Sequence, residues 1–218
     1  MLLRKNLPPI REPRLYLSME RSYLSLIKFV IVAFGAGILA RKFAMALRFF
    51  HLEHLHPFFI ALYQVLTIPA VVVLFAIIPF FWNDLRYVAK GPSVSAKEMD
   101  DPRVHFSAER TFLSWIRTAL SSIAFAFVLA KFDFLLRKFS ALLHVQIPLL
   151  HRLTGSNTIF LAFGLVLLAL AFWGLLGTQA SIREGTCRLP MRRYLATGLI
   201  LVLLGIGMLR LLWILGWS

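Results

Sequence analysis

Asp101-Pro102-Arg103-Val104-His105-Phe106-Ser107-Ala108-Glu109-Arg110-Thr111-Phe112-Leu113-Ser114-Trp115-Ile116-Arg117 reads as a charged helical turn that leads straight into an apolar span. The chain carries the same pattern 89 residues earlier, at Glu12-Pro13-Arg14-Leu15-Tyr16-Leu17-Ser18-Met19-Glu20-Arg21-Ser22-Tyr23-Leu24-Ser25-Leu26-Ile27-Lys28. The match needs no gap and runs on to Lys42-Phe43 and Lys131-Phe132. Pro, Arg, Ser, Glu, Arg, Leu, Ser and Ile recur in register, and Lys28 stands opposite Arg117. A fixed-offset match of this kind is the mark of a duplicated structural unit. In both copies Pro follows an acidic residue, an arrangement that suits the first turn of a helix. Each helix is therefore expected to start before the membrane and to enter it with a charged lead-in.

The span after the lead-in sets the class. The chain has 218 residues, 59% of them hydrophobic, and a mean hydropathy of +0.77. A helix needs roughly 20 apolar residues to cross a bilayer. Five stretches qualify, at about 22–40, 58–82, 111–131, 158–177 and 194–216. Backbone groups in lipid must be bonded internally, so these read as helices. The expected fold is an all-α integral membrane protein with five spans, a divergent duplication of two plus three. Residues 1–90 form the first copy, 91–100 a linker and 101–218 the second copy. The linker reading rests on the turn signal Lys90-Gly91-Pro92-Ser93.

Net charge is +14. Fourteen of the 24 Lys and Arg lie in the N-terminal tail, the 83–110 loop and the 178–193 loop; seven lie in the alternate loops. The positive-inside rule puts the N-terminus in the cytoplasm and the C-terminus outside. The charges flank membrane spans, so anionic lipid is the expected partner and nucleic acid is not. Residues 1–21 hold three prolines and the Glu-Arg unit, which does not fit a cleaved signal. The single cysteine, Cys187, fits a reducing side.

Arg110, Ser114, Arg117 and Ser121 recur at i, i+4, i+7 and i+11 and share one helix face. The two arginines are about 10.5 Å apart along the axis. Arg21, Ser25 and Lys28 hold the same positions in the first copy, where Val32 ends the row. Two cations among hydroxyls could hold an anion, and Arg suits phosphate because its fork donates two bonds at once. Equally, Arg117 and Lys28 are close enough to the ends of their spans to snorkel. Both readings stand at this point. Glu20 and Glu109 are read as charge partners at the helix starts. Arg210 divides in the same way between an outer anchor and the far end of a cationic path.

The opposite face of this helix is small: Thr118, Ser122, Ala126 and Ala130, matched by Ala33 and Gly37. Such faces let helices approach closely in lipid. The 132–145 segment reads as a separate helix lying in the outer interface. Pro69 and Pro79 are expected to bend the second span. His51, Glu53, His54 and His56 do not match a zinc pattern, so no metal is expected. No cofactor-binding loop and no nucleophile motif is present in the sequence, and no enzyme activity is expected.

The stretch from Asp101 to Val104, followed by Ala108-Glu109-Arg110-Thr111-Phe112-Leu113-Ser114-Trp115-Ile116-Arg117-Thr118, resembles the signature of the YidH-like family. These are small three-span bacterial inner-membrane proteins with a domain of unknown function. Ile182-Arg183-Glu184-Gly185 and Arg192-Arg193-Tyr194 follow in the family's order. The resemblance covers about 101–216, and 12–90 looks like a divergent copy that lacks the third span. Related domains form the membrane part of the vacuolar transporter chaperone, a polyphosphate polymerase and translocation complex. The resemblance implies a cell inner membrane protein whose Arg110 and Arg117, with Arg21, Lys28 and Arg210, line a path for phosphate-like anions in a homo-oligomer. The alternative is a non-catalytic scaffold or regulatory subunit packed against a partner membrane protein.

Overall fold

The computed structural model describes residues 12–47, 52–90, 101–143, 155–184 and 191–216. The 91–100 linker, Cys187, His51 and most of the N-terminal tail lie outside the described residues. Five α-helices are described: α1 (Pro13–Leu47), α2 (His56–Ala89), α3 (Pro102–Leu143), α4 (Gly155–Arg183) and α5 (Met191–Gly216). A short 3₁₀ turn, Glu53–Leu55, precedes α2. All five helices are long and apolar enough to cross a membrane.

Both helix starts fall where the acidic-Pro pairs place them. The Asp101 side chain accepts from the Arg103 N–H at 2.8 Å, and its carbonyl accepts from Val104 N–H at 2.9 Å. Pro102 then occupies the first helical position, where its missing donor costs nothing. At the other start the Glu12 carbonyl takes the Leu15 N–H at 3.1 Å. The lead-ins pack together: Tyr16 and Leu17 of α1 meet Val104 and Ala108 of α3 and Ile182 of α4 in a small apolar cluster of their own.

One expectation fails here. The 132–145 segment is not a separate helix: α3 continues unbroken to Leu143. It has no Gly or Pro in that stretch to stop it. At 42 residues α3 is about 63 Å long, twice the hydrocarbon core. Its far end therefore extends past the apolar span, carrying Asp133 with it.

α1 and α2 form one hairpin-like pair and α3 and α4 another; α1 also packs on α3, and α5 rests against α2 and α4. A single core joins them, with Val30, Ile31, Phe34 and Ile38 of α1, Leu74 of α2, Leu129 of α3, Leu167 of α4 and Leu204 of α5. Close approach uses glycine. A Cβ on Gly164 would lie 2.6 Å from Ile123 Cγ1 and 3.0 Å from the Ala119 carbonyl oxygen. The α3 backbone cannot yield cheaply, so Gly164→Ala is expected to cost about 1–3 kcal/mol. Gly177→Ala, which meets nothing within 4 Å, is the control. Thermal unfolding of both variants in detergent checks this; equal midpoints would refute the close-approach argument.

Candidate functional site

The cationic row of α3 faces outward. Arg103, Arg110 and Arg117 are exposed, with Ser114 and Ser121 half-buried beside them. On α1, Lys28 and Ser25 are exposed and Arg21 is half-buried. Arg210 of α5 and Glu109 of α3 are also exposed. None of these side chains lies in the bundle core. The small-residue face points the other way: Ser122 and Ala126 are buried, Ala130 is half-buried, and Ala33 and Gly37 are buried on α1. Ser122 Oγ donates to the Phe160 carbonyl of α4 at 2.7 Å. A Cβ on Gly37 would meet Thr67 Cγ2 of α2.

The buried ionisable groups are ones the sequence pattern did not single out or placed at the surface. Lys42 is fully buried, and its Nζ donates to Asp133 Oδ1 at 2.5 Å, tying α1 to α3. Asp133 Oδ2 is buried without a hydrogen-bond partner among the described residues. Glu20 is 2% exposed rather than a surface partner of neighbouring cations. Its oxygens accept from Trp115 Nε1 of α3 at 2.5 Å and from the Tyr194 hydroxyl of α5 at 3.2 Å. Beside it the Tyr23 hydroxyl donates to Asp84 of α2, and the Tyr23 and Tyr194 rings both meet Phe81 edge-on. At the opposite end the Arg41 guanidinium lies over the Tyr63 ring. No group of three or more potential metal ligands forms among the described residues.

How α1 meets α3 decides where the cations point. Leu17 touches Thr111, Glu20 touches Trp115, Gly35 faces Phe125 and Lys42 reaches Asp133. Residue numbers rise together, so the two helices run parallel. Each helix has three sides. The first packs on its own neighbour: Gly37 on α2, Gly164's partner Ile123 on α4. The second side, Leu17, Leu24, Ile31, Ile38 and Lys42, is where α1 meets α3 and is buried. The corresponding side of α3 is open: Phe106 is 60% exposed, Leu113 46%, Leu120 54% and Phe127 62%, and Lys131 is exposed. The third side is the reverse. On α3 it holds Thr111, Trp115 and Asp133, buried against α1. On α1 the counterparts Ser22 and Leu26 are exposed, while Ala44 is fully buried.

The cations sit between the second and third sides. At about 100° per residue, Arg21 and Lys28 lie just past the α3 contact in one rotational sense. Arg110 and Arg117 lie roughly 110° from the α1 contact in the opposite sense. For parallel neighbours, opposite senses lead to the same side. The two rows therefore open onto one common face of the α1–α3 pair, at the end where both helices begin.

Residues 103–183 match a family described as a domain of unknown function, DUF202. That domain spans α3, the segment after it and α4, and carries Arg103, Arg110, Ser114 and Arg117. Comparisons with curated proteins and with solved structures give no match. The chain is thus a multi-pass membrane protein with a DUF202 domain.

Proposed function

We propose that the protein is a non-catalytic subunit of an oligomeric inner-membrane assembly that handles phosphate-like anions. The anion path runs along the common open face of α1 and α3, between helices of neighbouring units, and not through the core of one chain. The observation that carries this reading is the contrast between two kinds of cation. Lys42, inside the bundle, is neutralised by Asp133. Arg110, Arg117 and Lys28 are exposed, on one side, with serines between them. A cation on a lipid-facing span is costly unless it snorkels or meets an anion. Two rows converging on one face fit an anion better than two separate anchors do. The charge bias of the loops sets the basic end in the cytoplasm.

The test is flux of phosphate and short polyphosphate into proteoliposomes. Arg117→Ala is expected to reduce flux at least tenfold, since one charge-assisted contact contributes about 1.5–3 kcal/mol, with expression and particle size unchanged. Arg210→Ala, on another helix, tests whether the path continues to the far side. Unchanged flux in Arg117→Ala would remove the anion path. A scaffold role is the second reading. It is favoured by the bundle core, which is filled by apolar side chains and joined across all five helices. Capture of a partner membrane protein, together with no flux in any variant, would select it.

A further inference from the structure

We propose that copies of this chain assemble head-to-tail, by repeating between chains the contact that α1 makes with α3 within one chain. It supplies the assembly that the anion reading requires, and its test reads assembly, not flux, so either can fail alone.

The argument is one of unfilled surfaces. Within the chain, the second side of α1 docks on the third side of α3. Shift the numbering by 89 and the second side of α3 reappears unused, as does the first part of the third side of α1; further along that side Ala44 is buried. The second side of α3 is a ridge of Phe106, Leu113, Leu120 and Phe127, each at least 46% exposed. The third side of α1 offers Ser22 and Leu26, the latter 45% exposed, with Phe29 beside them at 60%. At the end where the helices begin, the ridge on one copy and the receiving side on the next correspond in register to surfaces that already fit each other. Leu17 against Thr111 becomes Phe106 against Ser22 of the next copy. Arg14, which reaches Asp101 at 3.3 Å, becomes Arg103 facing Glu12 of the next copy. Such a contact joins different patches on the two partners, and it closes into a ring if the rotation allows.

Not every pairing carries over, and the exceptions bear on function. The counterpart of Lys42–Asp133 would be Lys131 with Ala44 of the next copy, but Ala44 is fully buried in its own chain, so the contact stops short of that level and Lys131 stays exposed. The counterpart of Glu20–Trp115 is Glu109 with Leu26 of the next copy. The contact between chains is therefore confined to the end where the two cation rows open. Arg110 and Arg117 of one copy, with Lys28 of the next, would then border the same concave side. The anion site is incomplete in a single chain.

The test uses full-length protein with Cys187→Ser and two differently tagged versions, one carrying Phe106→Cys and the other Ser22→Cys. Both positions are exposed, so both variants should fold. The two versions are co-expressed in membranes and treated with a short bis-maleimide, which adds to one thiol at each end. A doubly tagged product at twice the monomer mass, formed only from the mixture, is the expected result. Product from Phe106→Cys copies alone would mean a two-fold contact through the ridge and would overturn the proposal. No product, with the unsubstituted protein running at the mass of one chain in mild detergent, would also overturn it and leave the ridge facing lipid.

Discussion

Asp133→Ala will lower the unfolding free energy by about 3–5 kcal/mol, because it leaves a buried ammonium without its counter-charge. Lys42 is 0% exposed and has Asp133 as its ion-pair partner. The reverse variant, Lys42→Met, strands the carboxyl group instead and should cost a similar amount. The double variant Lys42→Met/Asp133→Leu should recover most of the loss. Taking both charges out of water is expensive, and one oxygen, Asp133 Oδ2, is left without a hydrogen bond among the described residues. Well-packed apolar replacements of buried pairs are often neutral. Lys131→Met is the control: Lys131 stands 89 residues after Lys42 but is exposed, so its loss should change stability by less than about 0.5 kcal/mol. Denaturant titration of the parent and the four variants in mixed micelles measures all of this. Single variants as stable as the parent would show that the pair contributes nothing to the fold.

The contrast between Lys42 and Lys131 shows what local sequence could and could not say. The spans were legible because a 20-residue apolar run has only one use in lipid. The starts of α1 and α3 were legible because acidic-Pro pairs are local signals. The fates of the two lysines were not, because each ends an apolar run before the same Phe. Their difference comes from position in the bundle. Lys42 lies on the side of α1 that packs on α3, so it is enclosed; Lys131 lies on the open side of α3, so it is not. Glu20 and Glu109 divide in the same way. Asp133 was hidden for another reason. The sequence reading placed it in an interfacial helix, whereas α3 continues and carries it to Lys42, 91 residues away. The open cationic face was half legible: the spacing put Arg110 and Arg117 on one side of a helix. That the α1 row opens in the same direction depends on how the two helices pack, which no spacing encodes.

Glu20→Ala is expected to cost about 2–5 kcal/mol, since it leaves two buried donors, Trp115 Nε1–H and the Tyr194 hydroxyl, without this acceptor. Losing the acceptor of one buried hydrogen bond carries a penalty of about 1–3 kcal/mol. Glu109→Ala, at the exposed counterpart, should leave stability within about 0.5 kcal/mol. The pairing makes a sharper statement than the loss alone. Trp115→Phe and Tyr194→Phe should each destabilise the parent but add little on the Glu20→Ala background, because the acceptor they share is already gone. Full additivity in that cycle would mean the three groups do not act as one network. Glu20 joins α1 to both α3 and α5, so its removal should also loosen α5. Proteolysis at the α4–α5 connection in the folded state should then rise in Glu20→Ala and in Tyr194→Phe, but less in Trp115→Phe. That order follows from geometry: of the two Glu20 bonds described, the Tyr194 one crosses to α5, while α3 keeps the Lys42–Asp133 tie to α1 at its other end.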